Sequence, residues 1–356
     1  MPPRAAAVAT AAGPSAVPRR VRRAPASPAH REIELPGDRL LTIRPMELDD
    51  APGISRLYRA LGAHDLYLRF FGTRPPPESF VADMVAKATS AGAGLVATIA
   101  TAPPDSAEPG ERDPEAALRD PAADGGREPA DGTLVAEATF SPLPDGDAEL
   151  GITVAAGARG WLGPYLLDVL LGAAAQRGVA NLQAEVLVTN GRMLSMLRRR
   201  GCAVLDHDDR PAIVRVVVGT ASSIPSWAPR ATGRRVVVET PGGRWRGDAV
   251  LRAAGYRVMA CSGPPGGWAS CPPMEGRACP LAAGADLVID AVPDPTGQRL
   301  ASAHATTTSV RLAVIGPGGA AVPSGAPSLA AAPGDDQLVA LVRSLVPADA
   351  DGGSSR

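Results

Sequence analysis

Lysine is almost missing: Lys87 is the single one in 356 residues, so chemistry that needs a lysine amine can use no other. Cysteine is scarce as well, and four thiols in a chain of this length make no disulfide framework. No uninterrupted apolar run approaches the roughly 18 residues that a bilayer-spanning helix needs. The opening MPPRAAAVATAAGPSAVPRRVRR is broken by proline and puts its arginines after the weakly apolar stretch, the reverse of a secretory signal. Excess charge of either sign is lacking too: 36 basic and 37 acidic residues leave a formal net charge of −1, which points to neither nucleic acid nor an anionic membrane. These absences predict a bacterial-type cytoplasmic protein with no nucleic-acid and no membrane partner.

What is present is ordinary globular material, 45% apolar and 21% charged, long enough for two or three domains that each bury a core. Gly (39) and Pro (37) make up about a fifth of the chain, so long stretches can be neither helix nor central strand. Two such stretches stand out. Residues 1–31 are Ala, Pro and Arg without period and read as a disordered tail, whose Arg19, Arg20, Arg22 and Arg23 could touch an acidic partner. Residues 102–131 have almost no large apolar side chain and read as a disordered insertion, because nothing there offsets the entropy of ordering.

Between them, alternation in RLLTIRP predicts a strand over 39–45 closed by Pro45. A helix follows, with Glu47, Asp49 and Asp50 in its first turn and Ile54, Leu57, Tyr58 and Leu61 on one face. Further helical patches cover 64–72 and 78–88, and a strand covers 94–100. After the insertion, TLVAEATF (133–140) and DAELGITVA (147–155) form a hairpin across SPLPDG. Helix 164–177, strand 181–188, helix 191–200 and strands 203–206 and 212–218 complete a domain spanning 32–219. Residues 220–233 read as a linker. Residues 234–347 alternate apolar strands (235–240, 256–261, 286–290, 310–316) with helices (245–254, 335–346), which predicts a small parallel α/β domain before a tail at 348–356.

Three passages in 39–218 carry a likeness: LLTIRPMELDDAPGISRLYRAL with LYLRFF, then AELGITVAAGARGWLGPYLLDVLLGAAAQRGV, then LQAEVLVTNGRMLSMLRRRGC. In order and spacing this stretch resembles the GNAT acyltransferases, and among them the bacterial protein-lysine acetyltransferases. The resemblance implies a mixed central sheet with flanking helices, splayed so that acyl-CoA lies between the strands ending near Val154 and Val188. It implies acetyl-CoA as co-substrate and an amine as acceptor, a protein lysine in the lysine-acetyltransferase branch, with no metal. The pyrophosphate would rest on backbone N–H groups where a helix begins.

The family's loop, Gln or Arg, two residues, Gly, one residue, Gly or Ala, falls on Ala158, Arg159, Gly160, Trp161, Leu162 and Gly163. Trp161 stands where the middle glycine belongs, and Pro164 removes one donor. Two readings follow: Arg159, Gly160, Trp161, Leu162 and Gly163 form a modified cradle, or the helix start is closed and binds nothing. Glu149 takes the place of the family's glutamate base, and Glu137 on the neighbouring strand is the second candidate; either could instead be a solvent-facing strand carboxylate. Asn190 with Met193 matches a pair beside the pantetheine arm, and Asn190 is equally a good N-cap. Leu197 stands where many members keep a tyrosine acid. The alternative function is therefore a non-catalytic acyl-CoA sensor or interaction module.

Residues 234–346 are similar to a receiver or other flavodoxin-like domain, with Asp290 near the phosphoacceptor position. No lysine follows and only Glu239 and Thr240 follow the first strand, so a degenerate pseudo-receiver with a regulatory or docking role is expected. Cys261, Cys271 and Cys279, with nine and seven residues between them, lack the close pair of a metal site and leave redox sensing or simple packing open. GPGG at 316–319 has no helix close behind it, and His30, His64, His207 and His304 form no motif.

Overall fold

The computed structural model describes residues 20–22, 31–91, 93–101, 132–206, 212–243, 245–293, 295–316, 326–329 and 333–347. The expected insertion at 102–131, nearly all of the N-terminal tail, the tail at 348–356, His30, His207 and residues 317–319 lie outside them. The chain divides into two compact units: Met1–Gly62, Pro75–Ala138 and Ile152–Leu167 form the first, and Ala63–Arg74, Thr139–Gly151 and Asp168–Arg356 the second. Both are mixed α/β.

In chain order the first elements are β1 (Arg20–Arg22), β2 (Arg31–Leu35), β3 (Arg39–Pro45), α1 (Ala51–Arg59), α2 (Ala63–Phe70) and α3 (Glu78–Ser90). Then come β4 (Gly94–Thr101), β5 (Thr133–Pro142), β6 (Ala148–Val154), α4 (Leu162–Gln176), β7 (Asn181–Leu187), α5 (Gly191–Arg198), β8 (Cys202–Asp206) and β9 (Ile213–Gly219). The remainder is β10 (Arg235–Glu239), α6 (Gly247–Ala253), β11 (Arg257–Cys261), α7 (Pro280–Ala283), β12 (Leu287–Asp290), α8 (Thr296–Thr307), β13 (Arg311–Ile315), β14 (Ser328–Leu329) and α9 (Asp335–Leu345).

In the first unit the strand order is β1-β2-β3-β4-β5, and the first four pair antiparallel. Alternation in β3 buries Leu41 and Ile43 while Thr42 and Arg44 stay half-buried, as a strand with one core face requires. Helix α1 buries Ile54, Leu57 and Tyr58 on one stripe. A 3₁₀ turn at Leu48–Asp50 precedes it, so the acidic residues expected in the helix stand just before it. There Asp50 accepts from both Arg44 guanidinium nitrogens, at 2.8 and 2.6 Å, and from the Glu47 N–H at 2.8 Å. Burial pushes the Asp50 carboxyl up, but the Arg44 and Glu47 bonds outweigh it and hold the group below its ordinary value.

In the second unit the order is β6-β7-β9-β8-β11-β10-β12-β13-β14. Strands β7, β9 and β8 are antiparallel neighbours, β8 pairs antiparallel with β11, and β11 through β14 are all parallel. Both faces of the parallel layer are covered, which is why its strands read as continuous apolar runs. Val236, Val238 and Ile289 pack with Leu251 of α6 and Leu338 and Val342 of α9. Val237, Met259 and Val288 pack with Ile224, Trp227 and Leu281.

The 220–233 stretch thus contributes to a core. Ile224, Trp227, Ala228 and Ala231 are buried, and the Trp227 indole N–H donates to the Leu281 carbonyl at 2.9 Å. Gly201, at φ +76°, makes this approach possible, because a Cβ there would lie 1.7 Å from the Ser223 carbonyl oxygen.

Candidate functional site

Within the first unit, the end of β6 from Ile152 runs into the Ala158–Gly163 loop and so into the first turns of α4. Ala155 N–H donates to the Val135 carbonyl at 2.8 Å, which ties the exit of β6 to β5. A 3₁₀ turn at Ala156–Ala158 follows, buried at Ala158. Arg159 is half-buried, and its Nε donates back to the Val154 carbonyl at 3.3 Å, holding the guanidinium at the loop. Gly160 is exposed at φ +106°, and a Cβ there would meet nothing within 4 Å, so open space adjoins this backbone. Helix α4 is 15 residues long and starts at Leu162, so the N–H groups of Leu162 and Gly163 have no partner one turn back.

Trp161 stands where bulk would obstruct an anion. Its ring contacts Tyr165, four residues on, with centroids 6.3 Å apart and planes at 67°. Residues four apart share a helix face, so the indole is engaged along the flank of the first turn. Leu162 is fully buried and anchors the turn from below. The loop therefore offers two opening amides, a cation at Arg159 and a glycine beside open space, with Pro164 supplying no donor.

Glu137, on β5, is 0% exposed. Its Oε1 accepts from the Tyr58 hydroxyl at 2.9 Å and from the Thr153 hydroxyl at 2.7 Å. Met84 Sδ lies 3.6 Å from the same tyrosine oxygen. The carboxyl thus joins α1, β5 and β6, with Thr153 the last residue but one of β6. Expected beside Glu149 as a second base, Glu137 is instead enclosed in the core of the first unit, where an external amine has no access. Sequence alternation gave its face and not its hydroxyl partners.

Glu149 belongs to the second unit and is exposed, on the second residue of β6. The parallel pairing of β6 with β7 joins Ala148 with Leu182 and Glu149 with Gln183, the first two residues of β6 and the second and third of β7. A polar clamp that sequence reasoning missed fixes this corner. Buried Asp147 accepts from Asn181 Nδ2 and Gln183 Nε2, each at 2.8 Å. Burial raises the Asp147 carboxyl above its ordinary value, and the two amide bonds only partly oppose it. Asn190 caps α5, its Oδ1 accepting from the Met193 N–H at 3.1 Å, and Leu197 is fully buried.

Cys261, at the end of β11, and Cys271 and Cys279, in the segment between β11 and β12, are unbridged and buried. Burial, with the Glu239 charge second, raises the Cys261 and Cys271 thiols, and burial raises Cys279 as well. Protonated thiols are poor nucleophiles and poor ligands, which favours the packing role. Among the described residues no group of three or more His, Cys, Asp and Glu side chains is arranged to hold a metal ion. No described helix is long and apolar enough to cross a membrane.

No family model and no curated protein matches the chain. Solved structures do. The GNAT domain of S. lividans PAT is 19% identical, covering 55% of this chain and 98% of its own at a TM-score of 0.40. A GNAT superfamily phosphinothricin acetyltransferase from Sinorhizobium meliloti, in complex with AcCoA, is 18% identical over 50% of this chain and 86% of its own, at 0.35. A ribosomal-protein-alanine N-acetyltransferase from Brucella melitensis is 18% identical over 49% and 96%, at 0.33. Scores at this level bear on neither activity nor substrate.

Proposed function

We propose that the chain is a GNAT-type N-acyltransferase that uses acetyl-CoA, or a related acyl-CoA, and acts on an amine. The loop that leaves β6 carries the reading: Arg159, open space beside Gly160, and the first amides of α4 together suit a pyrophosphate. Glu149 is the base. It is exposed to an incoming amine, and the Asp147 clamp fixes the start of its strand. It takes the proton as the nitrogen attacks the thioester carbonyl; the tetrahedral intermediate then collapses, the C–S bond breaks and the CoA thiolate leaves. Leu197 has no proton to give, so water protonates the thiolate. A protein lysine is the finer class of acceptor, proposed on the resemblance of the three passages.

The parallel order β11-β10-β12-β13-β14, with the first strand of this layer second in line, supports a flavodoxin-like, pseudo-receiver reading of the C-terminal layer, with a docking or regulatory role. Fully buried Leu197 and the missing N–H of Pro164 favour the second reading, a sensor that binds acyl-CoA without turnover. Acetyl transfer to an amine panel, measured for the wild type and Glu149→Gln, separates the two. General-base catalysis predicts a loss of roughly 10²-fold or more in turnover with acetyl-CoA affinity unchanged. Absence of transfer in the wild type, with acetyl-CoA bound, would establish the sensor.

A further inference from the structure

The hairpin turn that leads into β6 is gripped at two points by the segment 226–230. Ser226 N–H donates to Asn181 Oδ1 at 2.9 Å, and Asn181 Nδ2 donates back to the Ser226 carbonyl at 3.1 Å, so this fully buried side-chain amide pairs with the segment as a backbone would. Four residues on, the Arg230 N–H donates to the Asp145 carbonyl at 2.8 Å. Beside Asp145, Gly146 takes φ +94°, and a Cβ there would stand 3.4 Å from Pro229 Cδ. The Asp147 N–H closes the turn on Asp145 Oδ1 at 3.2 Å. All these residues belong to the second unit.

Between the two grips, the parallel layer holds the same segment. Trp227 and Ala228 are buried, Trp227 packs with Val237, Met259 and Val288, and its indole N–H donates to the Leu281 carbonyl at 2.9 Å. The Arg235 guanidinium, at the start of β10, lies 5.8 Å from the centre of the Trp227 ring. On its other side the turn reaches the candidate base. Asp147 accepts at 2.8 Å from both Asn181 Nδ2 and Gln183 Nε2, it stands two residues before Glu149, and Gln183 is the β7 residue paired with Glu149. Gln183 Nε2 also reaches Asp145 Oδ2 at 3.2 Å.

Apolar packing alone would bury Trp227 without this network. A buried carboxylate held by neutral amides is a poor source of stability, because its lost hydration is only partly returned. It is a good source of position, since hydrogen bonds form within narrow limits of distance and angle. We infer that the C-terminal layer sets the position of Glu149 through this network: Trp227 anchors the segment, Ser226 and Arg230 hold the turn, and Asn181, Gln183 and Asp147 are positioning residues for the base. Whatever shifts the segment against the layer then shifts Glu149. The catalytic consequence rests on Glu149 being the base, and the mechanical link does not.

Full-length wild type, Trp227→Phe, Glu149→Gln and the double variant are compared by acetyl-transfer kinetics and by amide hydrogen exchange. Trp227→Phe keeps an aromatic ring in the core and removes the bond to Leu281. Expected from it are a fall of roughly tenfold or more in kcat with KM for acetyl-CoA unchanged, and faster exchange over residues 145–151 while β3 exchanges as in the wild type. In the residual transfer of Glu149→Gln the same substitution should lower the rate no further. An unchanged kcat, an equal loss in both backgrounds, or exchange that rises equally in β3 and around Glu149 overturns the inference. A wild type that binds acetyl-CoA without transferring acetyl defeats the reading of Glu149 as base instead, and the exchange comparison then decides the link by itself. Should Trp227→Phe fail to fold, Asp147→Asn probes the path from its other end: faster exchange of the Ser226 and Arg230 amides supports the link, and unchanged exchange contradicts it.

Discussion

Glu137 and Glu149 show how much one residue's surroundings decide. Both are strand glutamates and both satisfy the chemistry of a base, yet one is enclosed by hydroxyl donors and the other faces solvent. Tyr58→Phe removes one of the two hydroxyl bonds to buried Glu137, and a loss of about 1–2 kcal/mol in urea unfolding is expected. An unchanged midpoint would mean that the hydroxyl contributes nothing in the fold. At this scale sequence reading found the residue types but not their partners. Tyr58 counted only as an apolar face residue of α1, although its hydroxyl reaches 79 positions along the chain. Asn181 and Gln183 passed as strand polars although both serve Asp147.

Elements were legible where the period was strong. Strand β3, helices α1, α4 and α9 and strands β10 to β13 of the parallel layer fall within a few residues of their expected places, because long apolar stripes leave one solution, whereas the two-residue β14 was not expected. Helix α8 was missed. It buries only Gly297, Leu300, Ala301 and His304, and a stripe of two small residues and a histidine carries little apolar signal. The 220–233 stretch was read as a linker because small residues, proline and glycine fill most of it; its buried Ile224 and Trp227 were the contrary signal. Gly201→Ala tests that packing. It combines a positive φ with a collision against Ser223, so it should cost more than the roughly 1 kcal/mol that conformational strain alone brings, read as a lowered urea midpoint.

Across the whole molecule, two buried ion pairs set opposite limits on stability with pH. Asp50 has its folded pKa below the unfolded value, so its contribution is present above pH ~4 and is lost as pH falls through the folded value. Burial lowers His304, but the Glu239 hydrogen bond and charge, with Asp290 behind, leave its folded pKa above the unfolded value near 6.5. Its contribution is therefore full below about pH 6.5 and is lost as pH rises through the folded value. Urea midpoints across pH should fall on the alkaline side in the wild type and flatten there in His304→Gln. The acid side should flatten in Asp50→Asn alone. An alkaline limb identical in wild type and His304→Gln would contradict the assignment.

That the chain handles an acyl-CoA turns on the loop from Arg159 to Gly163, and calorimetric titration of acetyl-CoA into the wild type and Arg159→Ala tests it most directly. Saturable one-to-one binding by the wild type, weakened roughly tenfold or more in Arg159→Ala through loss of a charge-assisted contact, is the predicted result. No heat from the wild type at high micromolar acetyl-CoA, or equal affinity in both proteins, would contradict it.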